Sequence, residues 1–330
     1  MRVLVTGAAG FVGSHLSEAL AAMGHDVACL VRPGSAPRWL AGTGLAMADC
    51  GMDSPEAMKE AVGGAEMIFH VAGVTKAYRA QGYYDGNVAI ARNLAEAVRR
   101  YGKDVRCLVG VSSQAAGGPY AGPDGADESA APEPVSFYGR AKLEVESVLG
   151  GLRDGLALGI VRPPMVYGPR DTAFVPLYKG ALMGLFPVPG SPRMRMSIVH
   201  VHDLVRGMIG LGEALSDGRA ASGGVYYLSG QIATWKEIGQ AIGQAVGHGQ
   251  LVIPIPLPLI RVIATVNQLA GRMGLPTSHL VVDKWREAKQ PGWVCSHARA
   301  AADFGYAPRV GLKQGLRETV AWCREHGLIR

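Results

Sequence analysis

Tyr138 and Lys142 stand four residues apart in Tyr138-Gly139-Arg140-Ala141-Lys142. On a helix that spacing puts both side chains on one face, so a phenol and an ammonium can enter the same cleft. A free phenol ionises near pH ~10, and bringing it to neutrality takes ~4 kcal/mol of preferential stabilisation of the phenolate. A neighbouring ammonium supplies part of that. The pair reads as proton-transfer machinery, although Tyr and Lys at helical spacing also occur as plain surface pairs. Ser113 closes the apolar run ending Val111-Ser112-Ser113. Its hydroxyl can reach the substrate oxygen that Tyr138 serves; a serine there is also an ordinary loop starter.

A second cluster opens the chain. Thr6-Gly7-Ala8-Ala9-Gly10-Phe11-Val12-Gly13 has the spacing Gly-x-x-Gly-x-x-Gly. It follows an apolar strand pattern and leads into a helical one, the context in which glycines let backbone approach a pyrophosphate at a helix N-terminus. This predicts a dinucleotide. At the end of the next strand pattern stands Val31-Arg32-Pro33-Gly34-Ser35, without the carboxylate that would hold a ribose 2′-hydroxyl. Arg32 can fork onto a 2′-phosphate, so NADP is expected ahead of NAD; the other reading is a solvated arginine on a turn.

These groups need a frame. Strands are expected at residues 3–5, 27–31, 67–71, 108–111 and 157–162, with helices at 13–23, 55–62, 87–100 and 138–149. Such alternation is the pattern of parallel βαβ units. Residues 163–195 read as loops with one helix. Strands follow at 197–201 and 225–228, then a helix at 235–246 whose Thr234 and Glu237 have capping-box spacing, and an amphipathic tail at 312–326. The expected architecture is a doubly wound α/β sheet with a smaller, interleaved C-terminal lobe. The cofactor domain covers 1–165 with return segments near 197–230, and the substrate lobe covers 166–196 and 231–330.

Composition narrows the class. The chain has 330 residues, 48% of them apolar and 18% charged, ample for a real core. Its 33 basic and 27 acidic residues are scattered, without the basic stripe that nucleic-acid binding leaves. Five cysteines (Cys29, Cys50, Cys107, Cys295, Cys323) lie far apart, which fits a reducing cytoplasm better than a disulfide framework. Residues 240–260 lack Asp, Glu, Lys and Arg, but Pro254, Pro256 and Pro258 interrupt them. A membrane span is not expected, and a greasy pocket or peripheral contact is left open. His200 and His202 are placed by strand alternation on one face, a conceivable metal pair, but no third ligand shows in the sequence and a structural role is preferred.

Taken together the motifs resemble the extended short-chain dehydrogenase/reductase family, also called NAD-dependent epimerase/dehydratases. The matching residues are Thr6 to Gly13, Asp49-Cys50, Phe69-His70-Val71-Ala72-Gly73, Asn87-Val88, Ser113, Tyr138 and Lys142. Further on come Arg162-Pro163-Pro164-Met165-Val166-Tyr167-Gly168-Pro169-Arg170, Val199-His200-Val201-His202-Asp203 and Phe304-Gly305-Tyr306-Ala307-Pro308. The resemblance implies Tyr138 as general acid/base, Ser113 on the substrate oxygen, and Lys142 gripping the nicotinamide ribose while easing the phenol's ionisation. Cofactor contacts are implied for Gly7, Gly10, Phe11, Val12, Arg32, Asp49 (the adenine-contacting acid), Cys50, Val71, Ala72, Gly73, Asn87, Pro163 and Val166, together with Tyr138 and Lys142. It also implies a homodimer built on the helices at 87–100 and 138–149, and no metal.

Departures select a branch. Gln114 follows Ser113 where sugar dehydratases carry an acidic pair, and Met165 replaces the asparagine with which nucleotide-sugar epimerases hold their substrate. The segments around Arg32 and Met165 look like dihydroflavonol reductases and 3β-hydroxysteroid dehydrogenases. The expectation is an NADP(H)-dependent oxidoreductase for an apolar or aromatic small molecule, with a nucleotide-sugar epimerase as the alternative and a cofactor-sensing protein as a remote third. Residues 251–263 would line an apolar pocket or pack as a helix on the lobe's core. Arg193 and Arg195 would bind a substrate anion or sit solvated.

Overall fold

Strands joined through helices run parallel, and a parallel sheet covered on both sides must be apolar on both sides. The computed structural model describes residues 1–34, 37–152, 155–278 and 280–330; Ser35 of the segment after the second strand lies outside them. The apolar runs become β1 (Arg2–Thr6), β2 (Asp26–Val31), β3 (Ala46–Asp49), β4 (Met67–His70), β5 (Cys107–Val111), β6 (Ala157–Arg162) and β7 (Gly224–Tyr227). They form one seven-stranded sheet in the order β7-β6-β5-β4-β1-β2-β3, parallel throughout. Winding reverses between β1 and β4, so the crevice where open α/β sheets take ligands lies at their C-terminal ends.

Helices flank the sheet: α1 (Phe11–Ala22), α2 (Ile90–Tyr101), α3 (Phe137–Gly150) and α4 (Val201–Ser216). Strand alternation decides what each covers. Val3, Val5, Phe69 and Val109 point to one side and join Leu16 and Leu20 of α1 and Leu204 and Met208 of α4. Leu4, Ile68 and Leu108 point to the other and join Leu94 of α2 with Val145 and Leu149 of α3. Burying each such side chain stabilises the fold by about 1.5–3 kcal/mol.

The second lobe has its own buried cluster, including Tyr178, Phe186, Met196, Ile198 and Leu316. Its sheet is built on Arg195–His200, which pairs antiparallel with Gln231–Thr234 and parallel with Met165–Tyr167 and Gly292–Trp293. The remaining helices used below are α5 (Trp235–Val246), α6 (Leu257–Arg272), α7 (Val282–Ala288) and α8 (Leu312–Glu325). The capping box of α5 forms as expected, Thr234 Oγ1 accepting from Glu237 N and Glu237 Oε2 from Thr234 N.

Several expectations are corrected. β3 was not foreseen: it is a four-residue edge strand, largely exposed, so it lacks the apolar signature. The helix expected at 55–62 splits into a 3-10 turn, Glu56–Met58, and Lys59–Gly63, and the one expected at 87–100 begins with a π turn, Tyr84–Ala89. Residues 163–195 hold two strands, Met165–Tyr167 and Leu185–Pro189, besides the helix Val175–Leu182. Residues 251–263 become the strand Leu251–Ile255 and the start of α6, of which only Ile260 and Ala264 are buried. Leu259, Val262, Ile263, Val266 and Leu269 share a face that points outward, so α6 does not pack as a core helix.

One buried ion pair fixes α3 on the sheet. Glu146 receives Arg162 of β6 in two bonds, Nε to Oε1 at 2.9 Å and Nη2 to Oε2 at 2.7 Å, and also accepts from Ser112 Oγ at 2.5 Å. Both charged side chains are under one-tenth exposed. Removing one partner strands the other charge in a low-dielectric interior. Arg162→Met is therefore expected to cost about 3–5 kcal/mol, read as a lowered urea midpoint. Adding Glu146→Leu should recover at least half of the loss, and a double variant no more stable than the single would refute the pairing.

Candidate active site

The glycine turn is compulsory on steric grounds. Gly7 has φ +69°, and a Cβ there would lie 2.7 Å from Ala72 Cα; a Cβ on Gly13 would lie 2.2 Å from Gly7 O. The turn is thus pressed against the 71–73 segment on one side and the first turn of α1 on the other. Gly10, the N-cap of α1, brings no side-chain cap, and the first turn has no acidic residue. The positive end of α1 is left for an external anion, which is what a pyrophosphate needs. Phe11 and Val12 anchor this first turn to the core.

Thr6 sets the neighbouring loop. Its hydroxyl accepts from Ala72 N at 3.2 Å and shares a 2.9 Å hydrogen bond with His70 Nδ1. His70 Nε2 is buried without a partner among the described residues. Burial, helped by the charge of Lys142, drives His70 down to about 3, so it stays neutral. Asn87 clamps the same loop: Nδ2 donates to Val74 O and Tyr83 O, and Oδ1 accepts from Val74 N. A Cβ on Gly73 would sit 2.6 Å from that Oδ1 and 3.6 Å from Lys142 Nζ. Gly73, Asn87 and Lys142 are thereby brought together.

Other expected cofactor contacts fall at strand ends. The register places Val31 opposite Asp49, so Arg32 and Cys50 follow side by side. Arg32 and Asp49 are exposed. Pro163 O accepts from Gln114 N at 2.9 Å, joining the end of β6 to the loop after β5, and Val166 pairs with Val199 in the lobe sheet.

Tyr138 and Lys142 lie in α3, with Glu146 one turn further along the same stripe. Three acceptors finish the start of this helix. Ser136 Oγ takes Gly139 N at 2.9 Å, while Asp283 of α7 takes Phe137 N at 2.8 Å and Tyr138 N at 3.0 Å. The Ser113 hydroxyl lies near enough to Tyr138 to favour its ionised form, and Ser113 Oγ accepts from Ala115 N.

Lys142 Nζ donates to Val111 O at 2.6 Å, and a second cation stands beside Tyr138: Lys284 of α7, whose Nζ lies 4.6 Å from the ring centroid. Burial raises the Tyr138 phenol above its ordinary value, with Lys284 and the Ser113 hydroxyl pulling it back and Glu287 opposing them. Burial lowers Lys142 to about 8 against the attraction of Glu146. Sequence spacing missed Asp283, Lys284 and Glu287, because nothing in Val282–Ala288 marks it as part of the site.

The histidine pair is also corrected. His200 ends its strand and His202 lies in the first turn of α4, so they do not share a strand face. A third group does approach: Glu318 of α8 lies 3.9 Å from His200 Nε2. The ligand atoms of His200, His202 and Glu318 fall within 4.8 Å of one another. His200 Nδ1 accepts from His202 N, and Nε2 has no hydrogen-bond partner among the described residues. Arg193 is exposed, and Arg195 donates to Pro123 O at 3.5 Å. Arg170 adopts φ +72°, pairs with Glu18 at 2.8 Å, and has a buried Nη1 without a partner among the described residues.

Comparison with known proteins agrees with this geometry. The family described as NAD dependent epimerase/dehydratase matches residues 3–226. The chain is 30% identical to a ceramide reductase of Caulobacter vibrioides, covering 99% of this chain and 96% of that one. It is 28% identical to a 2-alkyl-3-oxoalkanoate reductase of Stenotrophomonas maltophilia, covering 97% and 99%. Among solved structures, UDP-glucose 4-epimerase of Thermus thermophilus in complex with NAD superposes with a TM-score of 0.79 at 26% identity, covering 98% of this chain and 99% of that one.

Lys142 yields a test independent of turnover. Its folded value, about 8, lies below the free value of 10.5, so folding expels a proton and the penalty is full below pH 8. It fades as pH rises from 8 to 10.5. Lys142→Met should stabilise the protein at pH 7 by up to about 3 kcal/mol, and the gain should vanish by about pH 11. Urea denaturation at both pH values checks this; a variant less stable than the parent at pH 7 would contradict it.

Proposed function

The chain belongs to the NAD dependent epimerase/dehydratase family of extended short-chain dehydrogenases/reductases, and we propose that within it this protein is an NADP(H)-dependent oxidoreductase interconverting a ketone or aldehyde and an alcohol on a largely apolar or aromatic small molecule. The observation that carries the reading is that one helix brings Tyr138, near the Ser113 hydroxyl, together with Lys142, whose Nζ stands beside Gly73 and Asn87. A nicotinamide bound over the glycine turn supplies the hydride chemistry.

The chain's own groups do the rest. Tyr138 gives a proton to the carbonyl oxygen in reduction and removes it from the alcohol in oxidation. Ser113 hydrogen-bonds that oxygen and orients it towards the phenol. Lys142, neutral more readily than a free lysine, donates to the ribose in the space beside Gly73 and Asn87. The glycine turn of Gly7, Gly10, Phe11 and Val12 would receive the pyrophosphate, Asp49 would contact the adenine and Arg32 would take the 2′-phosphate, with Cys50, Val71, Ala72, Gly73, Asn87, Pro163 and Val166 as further cofactor contacts.

Relatives named for reducing ceramide and 2-alkyl-3-oxoalkanoates support an apolar substrate, and Met165 in place of an amide supports the same choice. The substrate would be held by the lobe of residues 166–196 and 231–330. We also propose a homodimer through α2 and α3, which already lie side by side through the Arg92–Glu144 pair at 2.7 Å. A cytoplasmic location fits the five free cysteines; among the described residues no helix is long and apolar enough to cross a membrane.

The likeness to the epimerase structure favours a second reading, a nucleotide-sugar epimerase with tightly held NAD(P). Purified protein mixed with NADPH and a panel of 3-oxo lipids, sterols and UDP-sugars separates the two. Net loss of NADPH absorbance with a 3-oxo compound supports the reductase; cofactor that copurifies and UDP-sugar interconversion without net consumption supports the epimerase. Tyr138→Phe should lower turnover by at least 100-fold, about the smallest loss expected of an acid–base group, while NADPH affinity stays within about twofold, a change under ~0.5 kcal/mol. Retention of a tenth of the activity would remove Tyr138 from the chemistry. Arg32→Asp should shift preference towards NAD, and an unchanged NADP affinity would exclude Arg32 from the 2′-phosphate.

A further inference from the structure

The motif that holds Tyr138 contains one lysine, and one N–H of that Lys142 ammonium goes to Val111 O at 2.6 Å. A second cation stands beside Tyr138. Lys284, 146 positions further along the chain, sets its Nζ 4.6 Å from the centroid of the phenol ring. Its side chain is 30% exposed and tethered by Glu287, whose Oε2 accepts from it at 2.8 Å. The preceding residue, Asp283, accepts from Phe137 N and Tyr138 N. α7 is therefore anchored to the start of α3 by two hydrogen bonds, which set the Lys284 backbone opposite Tyr138 while Glu287 holds its ammonium.

We propose that Lys284 is a second cation of this active site, held over the face of the Tyr138 ring by Glu287 so that it stabilises the phenolate through space. It is a positioning residue, acting through Tyr138. Phenolate charge is shared between oxygen and ring carbons, and a cation over the ring face meets that charge as well as the neutral ring's quadrupole. An opposite charge within 4–6 Å typically moves an ionisation by about one to three pH units. Glu287 offsets part of this, since its carboxylate repels the phenolate that Lys284 attracts.

The groups facing the phenol are few. α7 presents Lys284 and Glu287, with Asp283 engaged by backbone. The helix Ala80–Tyr83 presents Tyr83, its ring 6.0 Å away, and the loop after β5 presents Ser113. From its own helix comes Lys142, directed at Val111 O. Lys284 is the cation of this set whose removal should be felt most directly by Tyr138.

The electrostatic claim stands on the geometry, and its consequence for turnover rests on the reading of Tyr138 as the acid/base, so the two are tested separately. Tyrosine ring-carbon labels, with the Tyr138 signal assigned by its loss in Tyr138→Phe, are titrated by NMR in the protein without substrate. Lys284→Met should raise the Tyr138 midpoint by about one unit or more, and Lys284→Arg should hold it near the parent value. A Lys284→Met midpoint equal to the parent's overturns the proposal. If Lys284→Met does not fold, Lys284→Gln takes its place: a raised midpoint supports the proposal, and no change overturns it. If Tyr138→Phe instead retains turnover, the catalytic reading fails while the titration result stands.

Discussion

A carboxylate and a guanidinium buried together behind α3 hold the active site in place. Glu146 lies on the stripe of α3 that carries Tyr138 and Lys142, and Arg162 and Ser112 meet it from the ends of β6 and β5. The bidentate geometry leaves little freedom of rotation, so the stripe faces the strand ends in one register. Ser112 is next to Ser113, and Arg162 is next to Pro163. The pair therefore fixes α3 against the two loops, after β5 and β6, from which the candidate site is assembled, and its own desolvation is offset only because every charged atom finds a partner.

Desolvation also shapes the chemistry. Around the crevice burial drives ionisable groups towards neutrality: His70 and His15 down, Lys142 down, Tyr138 up. The charges that remain at the site, chiefly Lys284 with Glu287, stand among neutral groups. Each charge brought in by a phosphate or a nicotinamide then acts on the residues through a medium of low polarisability, where it is felt more strongly than in water.

Much of this was legible in the residues. The buried strands announced themselves through branched apolar runs, and the glycine turn through its position between strand and helix. Tyr138, Lys142 and Ser113 were recognisable by spacing and by their company. What could not be read was of two kinds. β3 and the strands at Met165–Tyr167 and Leu185–Pro189 are short, and pairing with neighbours distant in sequence, rather than their own composition, makes them strands. The direction of Lys142, the approach of Glu318 to His200 and the arrival of Lys284 over Tyr138 depend on contacts between distant segments, which local periodicity does not encode. α6 shows a third limit: its apolar spacing correctly gives a helix face but not which way that face points.

The hydrogen bonds from Phe137 and Tyr138 to Asp283 have a consequence for how the protein is made. A ribosome that has passed residue 230 has delivered every strand of the large sheet and both members of the Glu146–Arg162 pair. The amides at the start of α3 still wait for a carboxylate some fifty codons away. The nascent chain can complete its sheet before the Tyr138 phenol is oriented, and the start of α3 gains its carboxylate only after the sheet has closed.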